Sequence, residues 1–231
     1  MSQQRTYREF IHKEAVFRIC CEAFEAVTAE IVRQRKILED YLDRHPEFKM
    51  AFEPVALLAD APPSAQQMDH AADRARTGPM AAVAGTMAQL AAQAGINAGA
   101  SEVIVENGGD IYLQTKNEVI IGLYPGVGEL AGQLGFSLKA EDTPISICSS
   151  SGKMGHSRSL GQCDLATVVS EDAGLADAAA TQAANLVRTA DDVEPTLNRI
   201  AAIDGVDGVL IVKDEQFGMA GHLPPLVKIH S

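Results

Sequence analysis

Two short runs near the start of the chain mix apolar and polar positions in strand-like alternation, Tyr7-Arg8-Glu9-Phe10-Ile11 and Ala15-Val16-Phe17-Arg18-Ile19, with the polar His12-Lys13-Glu14 between them. The pattern predicts a hairpin within residues 6–21. The spacing then changes. Phe24, Val27, Ile31, Ile37, Leu38 and Tyr41 recur at helical intervals with charge between them, predicting a helix over 22–44 that His45-Pro46 terminates. Residues 48–58 are expected as a strand with Pro54 at an irregularity, and Asp60-Ala61-Pro62-Pro63 reads as a linker. Ser64, with Gln67 three positions later, has the form of a capping box that opens a short polar helix to about Arg76.

After Gly78-Pro79, residues 80–94 are Ala-rich and almost uncharged, so a helix there is apolar nearly all round and belongs in the interior. Strand-like segments at 102–105 and 111–113 flank Asn107-Gly108-Gly109-Asp110, and further strand candidates lie at 119–124, 136–139, 145–148 and 166–169. Residues 175–187 repeat the Ala-rich helical pattern. A shorter helix at 196–203, a strand at 208–212, a Lys213-Asp214-Glu215 turn and a strand at 216–220 follow. The order buried helix, strand, tight turn, strand thus occurs at about 80–114 and again at about 175–220, a hint of internal duplication. The class implied is α+β, with antiparallel sheets packed on central helices. Residues 1–231 are expected to form a single domain, with two intertwined subdomains at about 1–125 and 126–231 as the alternative division.

Composition narrows the class. A chain of 231 residues buries roughly 70–75% of its unfolded surface, so a core needs no staples. With 46% hydrophobic and 22% charged residues it is an ordinary globular sequence, which excludes intrinsic disorder and collagen-like or low-complexity classes. Nineteen Lys and Arg against 31 Asp and Glu give a formal net charge of −12, so nucleic acid is not an expected partner. The densest basic stretch, Arg33, Arg35 and Lys36, is interleaved with Glu30, Glu39 and Asp40 and reads as a solvated helix face. Cys20, Cys21, Cys148 and Cys163 lack Cys-x-x-Cys spacing, and reduced, mostly buried thiols are expected. The polar N-terminal stretch and the lack of any apolar run of about 18 residues point to a cytoplasmic protein with no membrane partner.

Three segments carry candidate chemistry. In Asn107-Gly108-Gly109-Asp110, Asn-Gly between strands suits a type I′ hairpin; alternatively, Gly108 and Gly109 admit close approach of a phosphate or ring while Asp110 supplies a carboxylate. The stretch Ser149-Ser150-Ser151-Gly152-Lys153-Met154-Gly155-His156-Ser157 is either a polar surface loop or a phosphate-binding loop of hydroxyls and free amides. It does not match a Walker A loop, and no Gly-x-Ser-x-Gly elbow occurs. In Ala176-Asp177-Ala178-Ala179-Ala180-Thr181, Asp177 and Thr181 stand four apart and project from one helix face. A carboxylate and a hydroxyl so placed suit Mg²⁺, which takes few protein carboxylates and completes its shell with water and phosphate. The plain alternative has Asp177 favoured near a helix start and Thr181 bonded to the preceding turn.

Taken in order, Gly78, the stretch 105–111 with Asn107-Gly108-Gly109-Asp110, Ser151-Gly152, His156 and Ala176-Asp177-Ala178-Ala179-Ala180-Thr181 resemble the ApbE family, the flavin transferases that move FMN from FAD onto a protein threonine. Gly78-Pro79-Met80-Ala81-Ala82-Val83-Ala84-Gly85 and Gly155-His156-Ser157 look most like a shorter, functionally uncharacterised ApbE-like branch. The resemblance covers about residues 75–190. It implies a duplicated T-fold-like α+β architecture, and Asp177 and Thr181 as metal ligands. The transferases' Gly-x-Ala-Lys-Gly-Tyr and His-Ile-Ile-Asp-Pro-x-Thr-Gly segments are replaced here by Arg74-Ala75-Arg76-Thr77-Gly78-Pro79 and by His156-Ser157-Arg158-Ser159.

The function expected is binding of a flavin nucleotide, FAD or FMN, or of another phosphate-bearing ligand, together with Mg²⁺. Asn107, Gly108, Gly109, Asp110, Ser149, Ser150, Ser151, Gly152 and Gly155 would contact the ligand. The chemistry would be FMN transfer to a protein substrate or cleavage of the FAD pyrophosphate, with Asp177 and His156 as the catalytic pair and His156 as acid or base. The alternative is a non-catalytic ligand-binding or assembly protein that keeps only the fold and forms homo-oligomers through Ala-rich surfaces or sheet edges.

Overall fold

The computed structural model describes residues 5–124, 133–152, 161–214 and 216–229. Alternation at the start of the chain produces the expected hairpin, β1 (Arg8–His12) and β2 (Ala15–Cys21), and the helical spacing after it produces α1 (Phe24–Arg44). The stretch expected as a strand at 48–58 differs. It opens with a short helix, α2 (Pro46–Met50), and continues without regular structure. Pro46 occupies the first turn of α2, where its missing N–H costs nothing, so the residue that stops one helix starts the next. α3 (Pro63–Ala75) ends close to the expected position, with Arg76 left-handed at φ 58°, but no capping box forms. The helix starts on Pro63 with Pro62 as its cap, and the Ser64 hydroxyl is buried without a partner among the described residues. Nor is α3 simply polar, since its Ala65, Met68, Ala71, Ala72 and Ala75 are buried.

A 3₁₀ turn (Pro79–Ala82) leads into the Ala-rich α4 (Val83–Asn97). The strands β3 (Val103–Asn107), β4 (Asp110–Gln114), β5 (Val119–Leu123), β6 (Leu134–Leu138), β7 (Ile145–Ser150) and β8 (Leu165–Ser170) follow. The second Ala-rich helix, α5 (Ala173–Leu186), and α6 (Val193–Ala201) precede β9 (Gly208–Lys213), β10 (Gln216–Gly221) and β11 (Leu226–Lys228). β11 was not expected; three residues behind Pro224-Pro225 give too little pattern to read.

The strands make an eight-stranded sheet in the order β1-β2-β3-β4-β7-β8-β9-β10 and a three-stranded sheet β11-β6-β5, every pairing antiparallel. Two blocks of four strands meet at the β4–β7 pairing. Alternation along each strand divides the core in two. Val105, Tyr112, Cys148, Val168 and Ile211 pack against the helices, while Ile104, Leu113, Ile147, Leu165 and Leu210 pack against the small sheet through Ile121, Phe136 and Leu138. β8 and β9 are buried along their whole length, which accounts for the unbroken apolar run Val209-Leu210-Ile211-Val212. The fold is therefore α+β, helices on one face of an antiparallel sheet and a smaller sheet on the other. Among the described residues no helix is long and apolar enough to cross a membrane.

Candidate functional site

α4 and α5 cross where both lack side chains. A Cβ on Gly85 would lie 2.1 Å from the carbonyl oxygen of Ala173, and one on Gly174 would lie 2.7 Å from the Thr86 hydroxyl. Only glycine lets the backbones approach so closely. The crossing brings Asp177 of α5 to the first turn of α4, whose preceding residue Ala82 provides no side-chain cap. The Gly85 N–H donates to Asp177 Oδ2 at 2.9 Å, and the Ala84 N–H bonds the same carboxylate. Asp177 thus caps a neighbouring helix, satisfying orphan donors that its sequence neighbours could not reach.

The second carboxylate comes from the β3–β4 hairpin. Gly108 and Gly109 turn it with φ of 68° and 104°, leaving Asn107 and Asp110 paired across the two strands. The Asn107 amide donates to the Ala84 carbonyl at 3.3 Å, tying the hairpin to the start of α4. Across the β4–β7 pairing Asp110 stands opposite Cys148, whose thiol donates to the Ala173 carbonyl at 3.5 Å and lies within reach of the Asp110 carboxyl. Asp110 Oδ1 is buried with no hydrogen-bond partner among the described residues.

Burial dominates the electrostatics. Asp177 is 8% exposed, and desolvation pushes its carboxyl up to about 7 against the pull of the Gly85 and Ala84 N–H groups. Burial holds the Asp110 carboxyl well above the usual carboxylate range, and the charge of Asp177 raises it further. The Cys148 thiol is pushed up by burial and then by both carboxylates, so it stays protonated and able to donate. Two carboxylates sharing a buried site with no basic partner among the described residues call for a shared proton or a cation.

Both acids open onto a cleft of about 910 Å³ that wraps around the β3–β4 turn from the helix side of the large sheet to its other face. Asn107, Gly108, Gly109, Asp110, Ser149, Ser150, Ser151, Asp177 and Thr181 all line it, from segments far apart in sequence. The serines do not act alike. Ser149 lies on the small-sheet side with its hydroxyl 2.9 Å from that of Thr167, whereas Ser150 faces the helix side beside Asp110. Gly152 does not line the cleft; its N–H donates to the Cys163 carbonyl at 2.9 Å, and it packs against Gly161, where a side chain has no room. Gly155 and His156, the candidate acid or base, lie outside the described residues.

Reading along the chain missed Cys148 and the α4 N-terminal amides, whose only advance signals were a cysteine inside a strand and a Gly-containing helix start. Among the described residues no three or more His, Cys, Asp and Glu are grouped to hold a metal ion by themselves. What the site does offer is hard oxygen: Asp177, the unpartnered oxygen of Asp110, and the Thr181 hydroxyl four residues beyond Asp177 on α5. This donor set fits Mg²⁺, which keeps most of its shell for water and phosphate, and does not fit a thiolate- or imidazole-bound metal.

Known proteins add an independent line. A family model described as "AbpE bacteria" matches residues 10–207. A UPF0280 protein of Methanococcus maripaludis is 40% identical over 209 residues, covering 89% of this chain and 85% of the relative. One of Archaeoglobus fulgidus is 38% identical over 225 residues, covering 94% and 93%. Among solved structures, the flavin transferase ApbE from Vibrio cholerae superposes with a TM-score of 0.61 at 13% identity, covering 96% of this chain and 97% of that one, a likeness of fold. With its sequence matched over most of its length and its architecture shared, the chain belongs to the bacterial ApbE-like family of that model, together with the UPF0280 proteins.

Proposed function

We propose that the cleft binds a flavin nucleotide or a closely related phosphate-bearing ligand together with Mg²⁺. The observation that carries this reading is the buried pair Asp110 and Asp177, one of whose oxygens has no partner among the described residues. Asp177, Asp110 and Thr181 would hold the cation, and the side-chain-free Gly108, with nothing within 4 Å of the position a Cβ would take, would let phosphate oxygens come close to the turn. Bound Mg²⁺ would neutralise charge on a phosphate and on its leaving group. The chain's own part is to deprotonate Asp110 and Asp177 as the cation arrives, to orient the phosphates with Asn107, Ser150 and Ser151, and to exclude water with the apolar start of α4. Such a site supports transfer of FMN from FAD to a protein substrate, or cleavage of the FAD pyrophosphate. Likeness of fold to the Vibrio cholerae flavin transferase supports the flavin over other nucleotides.

A thermal-shift titration with FAD, FMN, ADP and ATP, each with and without Mg²⁺, tests the proposal. A ligand at 100 times its Kd raises stability by roughly 2.7 kcal/mol. The expected result is stabilisation by FAD that needs Mg²⁺ and is lost in Asp177→Asn. No stabilisation by any of the four would leave a non-catalytic protein that keeps the fold alone.

A further inference from the structure

The eight-stranded sheet ends differently on its two sides. At one edge β1 carries charge: the Arg8 guanidinium lies 3.5 Å from the centre of the Phe24 ring of α1, and Glu9 stands opposite Arg18 of β2. At the other edge β10 reads Gln216-Phe217-Gly218-Met219-Ala220-Gly221, with no charge, no proline and no break in its register with β9. Sheet edges are ordinarily guarded by such features, because their unpaired N–H and C=O groups recruit further strands. In the small sheet, the edge strand β11 follows Pro224-Pro225 and ends on Lys228, while β5 lies along the cleft. Among the described residues no segment except β9 makes main-chain bonds to β10. β9 is buried throughout, yet Phe217 and Met219 beside it are 40% and 48% exposed. They stand opposite Val212 and Leu210 and so share their face, the one turned to the small sheet, whereas Gly218 faces Leu197 and Val193 of α6.

We infer that β10 is the seam of a symmetric homodimer, pairing antiparallel with β10 of a second copy about a two-fold axis at Gly218 and joining the two large sheets into one. An axis perpendicular to the sheet keeps each face on its own side, so Phe217 of each copy stands opposite Met219 of the other, and Gln216 opposite Ala220. Because Lys213 and Gln216 close a two-residue hairpin as its bonded pair, Phe217 and Met219 turn their N–H and C=O groups to the open edge, where this register bonds them to each other. The two ring and thioether pairs then cover Leu210 and Val212, carrying the core between the sheets across the axis. Charge agrees at the ends of the seam. Asp214, whose side chain is 61% exposed, comes opposite the exposed His222 of the second copy, once on each side of the axis. A chain of net charge −12 repels its own copy at long range, and an uncharged edge flanked by acid and imidazole is where two copies meet at least cost. Neither Phe217, Met219 nor any other residue of β10 lines the cleft, so the inference stands apart from the proposed function.

Sedimentation velocity of the full chain tests this. A seam of one short strand is smaller than a standard interface of about 1,600 Å², so the wild type should pass from monomer to dimer between about 1 and about 100 μM. Phe217→Lys and Met219→Lys place a guard charge on side chains that are already exposed, and each should weaken the dimer by tenfold or more while keeping the wild-type circular dichroism. Ile11→Lys, on the β1 edge, should dimerise as the wild type does. Register is read separately: under mild oxidation an equal mixture of Phe217→Cys and Met219→Cys should form a disulfide-linked dimer that neither variant forms alone and that the wild type, with its own four cysteines, does not form. This second readout holds even if a lysine variant fails to fold. A wild type that stays monomeric at the highest concentration, folded lysine variants that dimerise as the wild type does, or cross-linking as strong in the single variants as in the mixture would each overturn the inference.

Discussion

Asp177 on α5 accepts the backbone N–H of Gly85 on α4 at 2.9 Å, across 92 residues of sequence, so one carboxylate closes a helix end and faces the candidate site. The two roles separate by substitution. Asp177→Asn keeps an oxygen that can accept from Gly85 but carries no charge, whereas Asp177→Ala removes both. Asp177→Ala should therefore be less stable than Asp177→Asn by about 1 kcal/mol, the usual worth of a helix cap. Both should lose Mg²⁺-dependent stabilisation by pyrophosphate. Thermal melts with and without Mg²⁺ and pyrophosphate check this; Mg²⁺-dependent stabilisation surviving in either variant would remove Asp177 from the metal site.

The raised carboxyl of Asp177 makes the metal-free protein sensitive to pH in a stated direction. Its folded value is about 7, and an unfolded aspartate titrates near 3.9. Protonation therefore favours the folded state. The group's contribution is fully present below about pH 4 and is lost as pH rises through about 7. Relative to Asp177→Asn, the wild type should lose a few kcal/mol of stability between pH 4 and 7.5 when no metal is present. Mg²⁺ should reverse that loss at pH 7.5 because a cation takes the place of the proton. Denaturant titrations at several pH values read the difference, and a flat one would show that the carboxylate is solvated in solution.

Close approach of α4 and α5 depends on Gly85. A methyl group there meets the Ala173 carbonyl oxygen at 2.1 Å and the Asp177 Cβ at 3.0 Å, and neither is the free end of a flexible side chain. Gly85→Ala should cost about 3 kcal/mol or more and should weaken ligand binding as well, since the helices must part where Asp177 is held. Ala84→Gly, next to it, serves as the control for flexibility. Unchanged stability in Gly85→Ala would mean that the helices can separate without cost.

Much of this architecture is legible along the chain because it is local. The two Ala-rich helices announce their burial by lacking charge, and the hairpin at Asn107-Gly108-Gly109-Asp110 is written in its turn residues. Asp177 and Thr181 could be placed on one helix face from spacing alone. The misreadings share a cause. Residues 48–58 are apolar enough for a strand but find no partner strand, and Ser64 loses its cap to Pro63, which already satisfies the first turn. Relationships that make the site a site are not local. Asp110 meets Cys148 only through strand register, Asp177 meets Gly85 only through a helix crossing, and the residues lining the cleft come from segments far apart in the chain. No periodicity within one element encodes such meetings.

Cys148 offers the last test, because it reaches the chemistry only through Asp110. Its buried thiol, which donates to the Ala173 carbonyl, is also within reach of the Asp110 carboxylate, and donation there favours the charged form against the burial that opposes it. Removing the donor in Cys148→Ala should raise the Asp110 carboxyl further, so that Mg²⁺ must compete with a more tightly held proton. A hydrogen bond to a charged group is worth about 1.5–3 kcal/mol, so Mg²⁺-dependent pyrophosphate binding at pH 7 should weaken by roughly tenfold. The deficit should be smaller at pH 9 than at pH 7, because the proton competes less as pH rises, and Cys148→Ser, which keeps a donor, should bind close to the wild type at both values. A purely packing role predicts instead the same loss at pH 7 and pH 9 and no rescue by serine. Calorimetric titration at the two pH values distinguishes the two roles.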